Sequence, residues 1–165
     1  MDIWALSEKA ELIASKQQCL LKHWRQYCNT LTQGITLSKA KLYLVVSCDS
    51  DDGLHLRLFD SFVIHIRLSD GFNSHTIEYI LEQCDGGNKV LIASAIMDDE
   101  GRIDNIIDNN NCEQVLEHYL RLIHPVYDGL YQTIDKHTPL SLALLQHCQS
   151  EGVDENLPLE SDKTF

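Results

Sequence analysis

A chain of 165 residues that is 44% hydrophobic is long enough to bury a core and too apolar for whole-chain disorder. Thirteen Lys and Arg stand against 25 Asp and Glu, a formal charge of −12, and no dense basic cluster interrupts the acidic field. That field repels phosphate backbones at long range and argues against a nucleic-acid-binding surface.

Ser7 is a competent N-cap, with Glu8 and Glu11 just after it, where the helix dipole favours acids. Leu6, Ala10, Ile13, Ala14, Leu20, Leu21, Trp24, Cys28 and Leu31 recur at helical spacing. They predict an amphipathic helix of about six turns, ended by Gly34. Leu42, Leu44, Val46 and Cys48 then alternate with Tyr43, Val45 and Ser47, a strand closed by the turn residues Asp49 to Gly53. In LHLRLFDSFVIHIRL, Leu54 to Leu68, even positions are apolar and His55, Arg57, His65 and Arg67 lie between them. Pairing Leu58 with Phe62 keeps apolar residues opposite one another and leaves Phe59, Asp60 and Ser61 as the loop of a β-hairpin. His75 to Glu82 reads as the next strand, with Ile77, Tyr79 and Leu81 inward. Val90 to Met97 is nearly all apolar and predicts a strand that is central or covered on both faces. Arg102 to Ile107 follows as a short edge strand.

One of Asn109, Asn110 and Asn111 should cap the second long helix, whose stripe is Val115, Leu116, Tyr119, Leu120, Ile123, Val126, Tyr127, Leu130, Tyr131 and Ile134. Pro125 inside it predicts a kink or break near His124. Residues 139–148 form a short apolar segment, and 149–165 an acidic stretch without periodicity that reads as a disordered tail. The expectation is an α+β domain over residues 1–148: helix, antiparallel meander of four to five strands, helix, with one sheet face on the two helices.

No apolar run approaches the roughly 20 residues of a membrane span, and positions 1–30 do not read as a signal peptide. Cys19, Cys28, Cys48, Cys84, Cys112 and Cys148 are scattered without a CxxC pair, which favours buried free thiols and a cytoplasmic setting. The Asp49, Asp51, Asp52, Gly53 stretch has Leu54 where a calcium loop needs Gly, so it reads as a solvated turn. Cys19 with His23, and His147 with Cys148, do not supply the compact pairs of a structural zinc site. No nucleophile, phosphate-loop or metalloprotease motif is present, so neither an enzyme nor a cofactor is implied. Gln33 to Leu42 resembles a helix-turn-helix turn, but the strand-like Tyr43-Leu44-Val45-Val46 follows it.

Two surfaces stand out as partner contacts. His55, Arg57, His65 and Arg67 make a small cationic patch on the outer hairpin face, which a strand placing Glu78 opposite His65 would partly neutralise. Tyr119, Tyr127 and Tyr131 put amphipathic aromatics on the last helix, a composition that interfaces favour. Self-association through the exposed sheet face or this helix is left open.

The strings IWALSEKA (Ile3 to Ala10), YCNTLTQGITLSKA (Tyr27 to Ala40), LSDGFNSHTIEY (Leu68 to Tyr79), EQVLEHYL (Glu113 to Leu120) and VYDGLY (Val126 to Tyr131) occur in one order across the chain. In them the sequence resembles the bacterial formate hydrogenlyase regulatory protein family from Met1 to about Leu145, less closely after Cys48, around Val90 and beyond Cys148. The resemblance implies a cytoplasmic negative regulator of the hydrogenlyase and hydrogenase-maturation operons. Such a protein opposes the formate-responsive activator that works with the alternative sigma factor. It brings no catalytic or DNA-reading residues. Together with the acidic charge it implies antagonism of the activator by protein–protein contact. The alternatives are an anti-activator that senses formate or a related anion on the cationic face, and a direct DNA-binding repressor.

Overall fold

The computed structural model describes residues 2–49, 53–85 and 87–137; residues 139–148, the acidic tail and the Asp51–Asp52 part of the carboxylate-rich turn lie outside them. The order is α1 (Ile3–Leu37), β1 (Leu44–Asp49), β2 (Gly53–Leu58), β3 (Phe62–Leu68), β4 (Thr76–Gln83), β5 (Lys89–Ile96), β6 (Arg102–Ile103), β7 (Ile107–Asp108) and α2 (Cys112–Asp135). Strands β1 to β5 form one antiparallel meander in sequence order, and β6 with β7 a small separate ribbon. The architecture is the expected α+β arrangement of helix, strands, helix.

The hairpin forms in the register that its pattern demands. Leu58 pairs with Phe62, and the Ser61 N–H donates to the Leu58 carbonyl at 2.9 Å across a turn whose Phe59 and Asp60 have φ of 51° and 58°. Leu54, Leu56, Leu58, Ile64 and Ile66 are consequently fully buried, joined by Ile77, Tyr79 and Leu81 of β4. Trp24, Tyr27 and Leu31 of α1 and Val115, Tyr119, Ile123 and Val126 of α2 cover them. Each such aliphatic side chain contributes on the order of 2 kcal/mol.

Several expectations are corrected. Helix α1 starts five residues before Ser7: the Asp2 carboxylate accepts from the Trp4 N–H at 3.1 Å and is the N-cap. At its other end Gly34 does not stop the helix. It is buried where α2 crosses, and a Cβ there would stand 3.3 Å from both Cys112 Sγ and Leu116 Cβ, so the glycine permits close approach of the two helices. The former helix-turn-helix candidate is therefore the last turn of α1 followed by extended chain into β1.

Strand β5 lies at the sheet edge, not at its centre. Its apolar run has a different cause. A bulge shifts the register at Tyr79/Ile80, so Tyr79 pairs with Ala93 and Ile80 with Leu91, and both Ile92 and Ala93 turn inward. Leu91 and Ile96 remain exposed. The segment after it is not one strand; Asp104 and Asn105, at φ of 54° and 63°, fold it into the β6–β7 ribbon. Asn111 caps α2 by accepting from the Gln114 N–H at 3.0 Å, and the helix runs through Pro125 without a break. Of the described cysteines Cys28 is buried, but Cys84 is exposed and Cys19 and Cys112 are half-buried.

Two positions test this packing. At φ +90° Gly53 passes so close to β3 that a Cβ would lie 2.2 Å from the Ile66 carbonyl oxygen and 3.2 Å from Trp24 Cζ2. Gly53→Ala is expected to cost on the order of 3 kcal/mol in urea unfolding. The Tyr119 hydroxyl is buried without a hydrogen-bond partner among the described residues. Tyr119→Phe keeps the ring and removes that orphan group, so it is expected to stabilise by about 1 kcal/mol, read as a rise in Tm of a few degrees.

Candidate functional site

The outer sheet face takes its residues from the odd positions of β2 and β3. His55 pairs directly with His65, and their rings stack with centroids 4.2 Å apart and planes 12° from parallel. Two residues along, the register sets Val45, Arg57, Val63, Glu82 and Lys89 in a row across all five strands. Lys89 Nζ lies 3.9 Å from Glu82 Oε2, and Arg57 Nη1 donates to Cys84 Sγ at 3.8 Å. On the other side of the histidines Arg67 faces Glu78. Its Nη2 donates to Asp70 Oδ1 at 2.6 Å, and its Nε lies 3.8 Å from Glu78 Oε1.

The anticipated neutralisation thus exists, with its partners exchanged. Glu78 stands opposite Arg67, and Ile80 takes the place beside His65, because the actual register is two residues from the one anticipated. Cation and carboxylate alternate across the face, with Val45, Ile80 and Leu91 between them. A surface of this kind recognises a protein of matched pattern better than a uniform phosphate backbone.

The three tyrosines do not share a surface. Tyr119 is fully buried, and burial raises its phenol well above the ordinary value. Tyr127 is half-buried, donates its hydroxyl to the Leu42 carbonyl at 2.7 Å and packs edge-on against Phe59, with burial pushing its phenol up to about 12. Tyr131 alone is broadly exposed, at 64%. Rings outside the predicted set surround Tyr127. Phe59 of the hairpin loop stacks on Tyr43 at 6.0 Å beside a groove of about 320 Å³ lined by Ile35, Ala40, Lys41, Leu42, Tyr43 and Leu44. The sequence signal for this cluster is an aromatic just before β1 and another just after β2, which antiparallel pairing brings to the same end of the two strands.

Beneath the sheet the polar groups are structural. The Tyr27 and Tyr79 hydroxyls lie 2.6 Å apart in the core, and burial raises both phenols. Facing a carboxylate, His118 Nε2 is the donor in its 3.2 Å contact with Asp104 Oδ2, while Asp104 Oδ1 accepts from the Ile96 N–H at 2.9 Å. Among the described residues no group of three or more His, Cys, Asp or Glu is placed to hold a metal ion. Nor is any described helix long and apolar enough to cross a membrane.

The fold is a five-stranded antiparallel meander covered on one face by two helices, with ion-paired side chains on the other face. Residues 1–146 match the family described as the transcriptional repressor of hyc and hyp operons, and the chain belongs to that family. It is 49% identical over 150 residues to the formate hydrogenlyase regulatory protein HycA of Escherichia coli K12, an alignment covering 91% of this chain and 98% of that protein. The proteins of the same name from Escherichia coli O157:H7 and Shigella flexneri match to the same extent. No solved structure matches.

The Asp104–His118 contact ties the ribbon to α2 and gives a pH test. The His118 hydrogen bond holds the Asp104 carboxyl below its ordinary range; partial burial opposes this and the Ile96 N–H supports it. A carboxyl lowered in the folded state adds stability that is complete above its unfolded value of about 3.9 and fades as pH falls through the folded value. Asp104→Asn is expected to lose about 0.5–1 kcal/mol at neutral pH, the partly exposed carboxylate being screened. That deficit should shrink in denaturation curves taken below about pH 4.

Proposed function

We propose that this chain lowers transcription of the formate hydrogenlyase and hydrogenase-maturation operons by binding the formate-responsive activator in the cytoplasm, not by reading operator DNA. One observation carries the reading. The open sheet face interleaves Arg57, Arg67 and Lys89 with Glu78 and Glu82 on a chain of net charge −12. Among the described residues that surface has no continuous cationic track for phosphates, but its charges, its exposed Val45 and Leu91 and its half-buried Ile80 suit a protein partner. Family membership supplies the direction of the effect, and the 49% identity to HycA over nearly its full length supports the same operons.

In this reading His55, Arg57, His65 and Arg67 contact the activator, with Arg57 the principal cation because Arg67 is already engaged by Asp70 and Glu78. Tyr131 lies at the far end of α2 and belongs to a separate contact if it takes part. Purified activator is expected to retain the chain in a pull-down, and Arg57→Glu to weaken retention at least tenfold while leaving the melting curve unchanged. Arg67→Ala should also weaken it, with a stability loss of at most about 1 kcal/mol. A gel shift with operator DNA at about 0.15 M salt should show no complex without the activator. Sequence-dependent operator binding by the chain alone would overturn the proposal, and heat on calorimetric titration with formate would favour the anion-sensing alternative.

A further inference from the structure

The first half of α1 projects beyond the rest of the fold. Every residue from Asp2 to Lys16 is exposed, including Ile3 at 70%, Leu6 at 52% and Ile13 at 49%. Burial starts at Leu20. The periodicity does not change there. Leu20, Trp24, Tyr27, Leu31 and Gly34 are all buried and follow alternating steps of four and three. The same steps taken backwards land on Gln17, Ile13, Ala10, Leu6 and Ile3. This is one heptad seam, filled by the protein's own sheet and α2 in its second half and open in its first.

An open seam of this length needs packing to be stable. Helices shorter than about 15 residues are marginal in water, and tertiary burial of an apolar face is what holds most of them. Among the described residues the arm is anchored at its base, where Lys16 Nζ bonds Asp99 Oδ2 at 3.3 Å and Cys19 Sγ donates to the Asp99 carbonyl at 3.6 Å.

We propose that the first half of α1 is a dimerisation arm, and that its occupant is the same arm of a second copy running antiparallel. Three observations select this partner. A two-fold axis between Glu11 and Leu12 sets Ala10 against Ile13 twice, so a small residue meets a large one on each side of the axis, with Leu6 facing Gln17 next along the seam. The seam positions Ile3, Leu6 and Ile13 stand 70%, 52% and 49% exposed, large apolar side chains in one row that a second arm would cover. Finally, residues 2–18 carry three acids (Asp2, Glu8, Glu11) and two bases (Lys9, Lys16), a net of −1 out of the chain's −12. Two acidic copies therefore meet at a nearly neutral segment, and antiparallel pairing keeps the two bodies apart. The same near-neutral balance gives the arm no attraction to an anionic membrane surface.

The test is the solution mass of the full chain, without activator or DNA, so that it stands apart from the proposed function. Light scattering at about 50 µM is expected to give twice the 18.8 kDa chain mass. Leu6→Asp and Ile13→Asp are expected to weaken association at least tenfold with unchanged thermal unfolding, because both side chains lie outside the core. Orientation is read by oxidation in a background whose native cysteines are replaced by serine: a mixture of Ala10→Cys and Ile13→Cys chains should cross-link, and neither variant alone. A monomer at that concentration, a dimer that survives both aspartates, or cross-linking of each cysteine variant with itself would overturn the proposal. A monomer that forms a one-to-one complex with the activator through these same residues would also overturn it, since the arm's occupant would then be a different protein.

Discussion

Trp24 and Tyr27 press α1 onto the inner face of the β2–β3 hairpin, and the position of every other element follows from that contact. Trp24 reaches the backbone only because Gly53 carries no side chain, and Tyr27 reaches across to the Tyr79 hydroxyl in β4. Once these two rings are seated, the hairpin can present only its even-numbered side to the helices, with Ile77, Tyr79 and Leu81 of β4 beside it. The hairpin turn at Phe59 to Ser61 fixes which side that is, since a slip of one residue would bury Arg57 and His65 and expose the leucines. α2 then enters through the space left over Gly34 and closes the remaining apolar surface.

What could be read in advance was whatever depends on local period. The hairpin register, the inward set of β4 and a cap for α2 within Asn109 to Asn111 are dictated by neighbours within a few residues, and the pattern of Leu54 to Leu68 leaves a single solution. Features that depend on distant partners were not legible in the same way. The run from Val90 to Met97 looks central because a bulge against Tyr79 and Ile80 turns two successive residues inward. Gly34 looks like a stop signal because its role is set by Cys112 and Leu116, which lie far away in sequence. The candidate site shows the same division. The four residues of the outer hairpin face were grouped correctly, whereas the pairing of Glu78 with Arg67 required the β3–β4 register. Tyr119 carries no mark in the sequence that distinguishes it from Tyr131, although one lies in the core and the other in solvent.

The two sheet faces differ in chemistry. The inner face is apolar apart from buried tyrosine hydroxyls. The outer face carries ion pairs of modest energy. Substitutions at Arg57 or Lys89 therefore leave the packed side untouched.

The hairpin turn has a mechanical side as well. Phe59 holds a left-handed backbone conformation, as does Tyr43, and such a conformation costs a side-chain-bearing residue about 1–3 kcal/mol. Both are held there by a chain of rings from Tyr43 through Phe59 to Tyr127. Tyr127 thereby touches the tip of the hairpin through Phe59 and the lead-in to β1 through the Leu42 carbonyl, so a single residue of α2 fixes two points at the same end of the sheet.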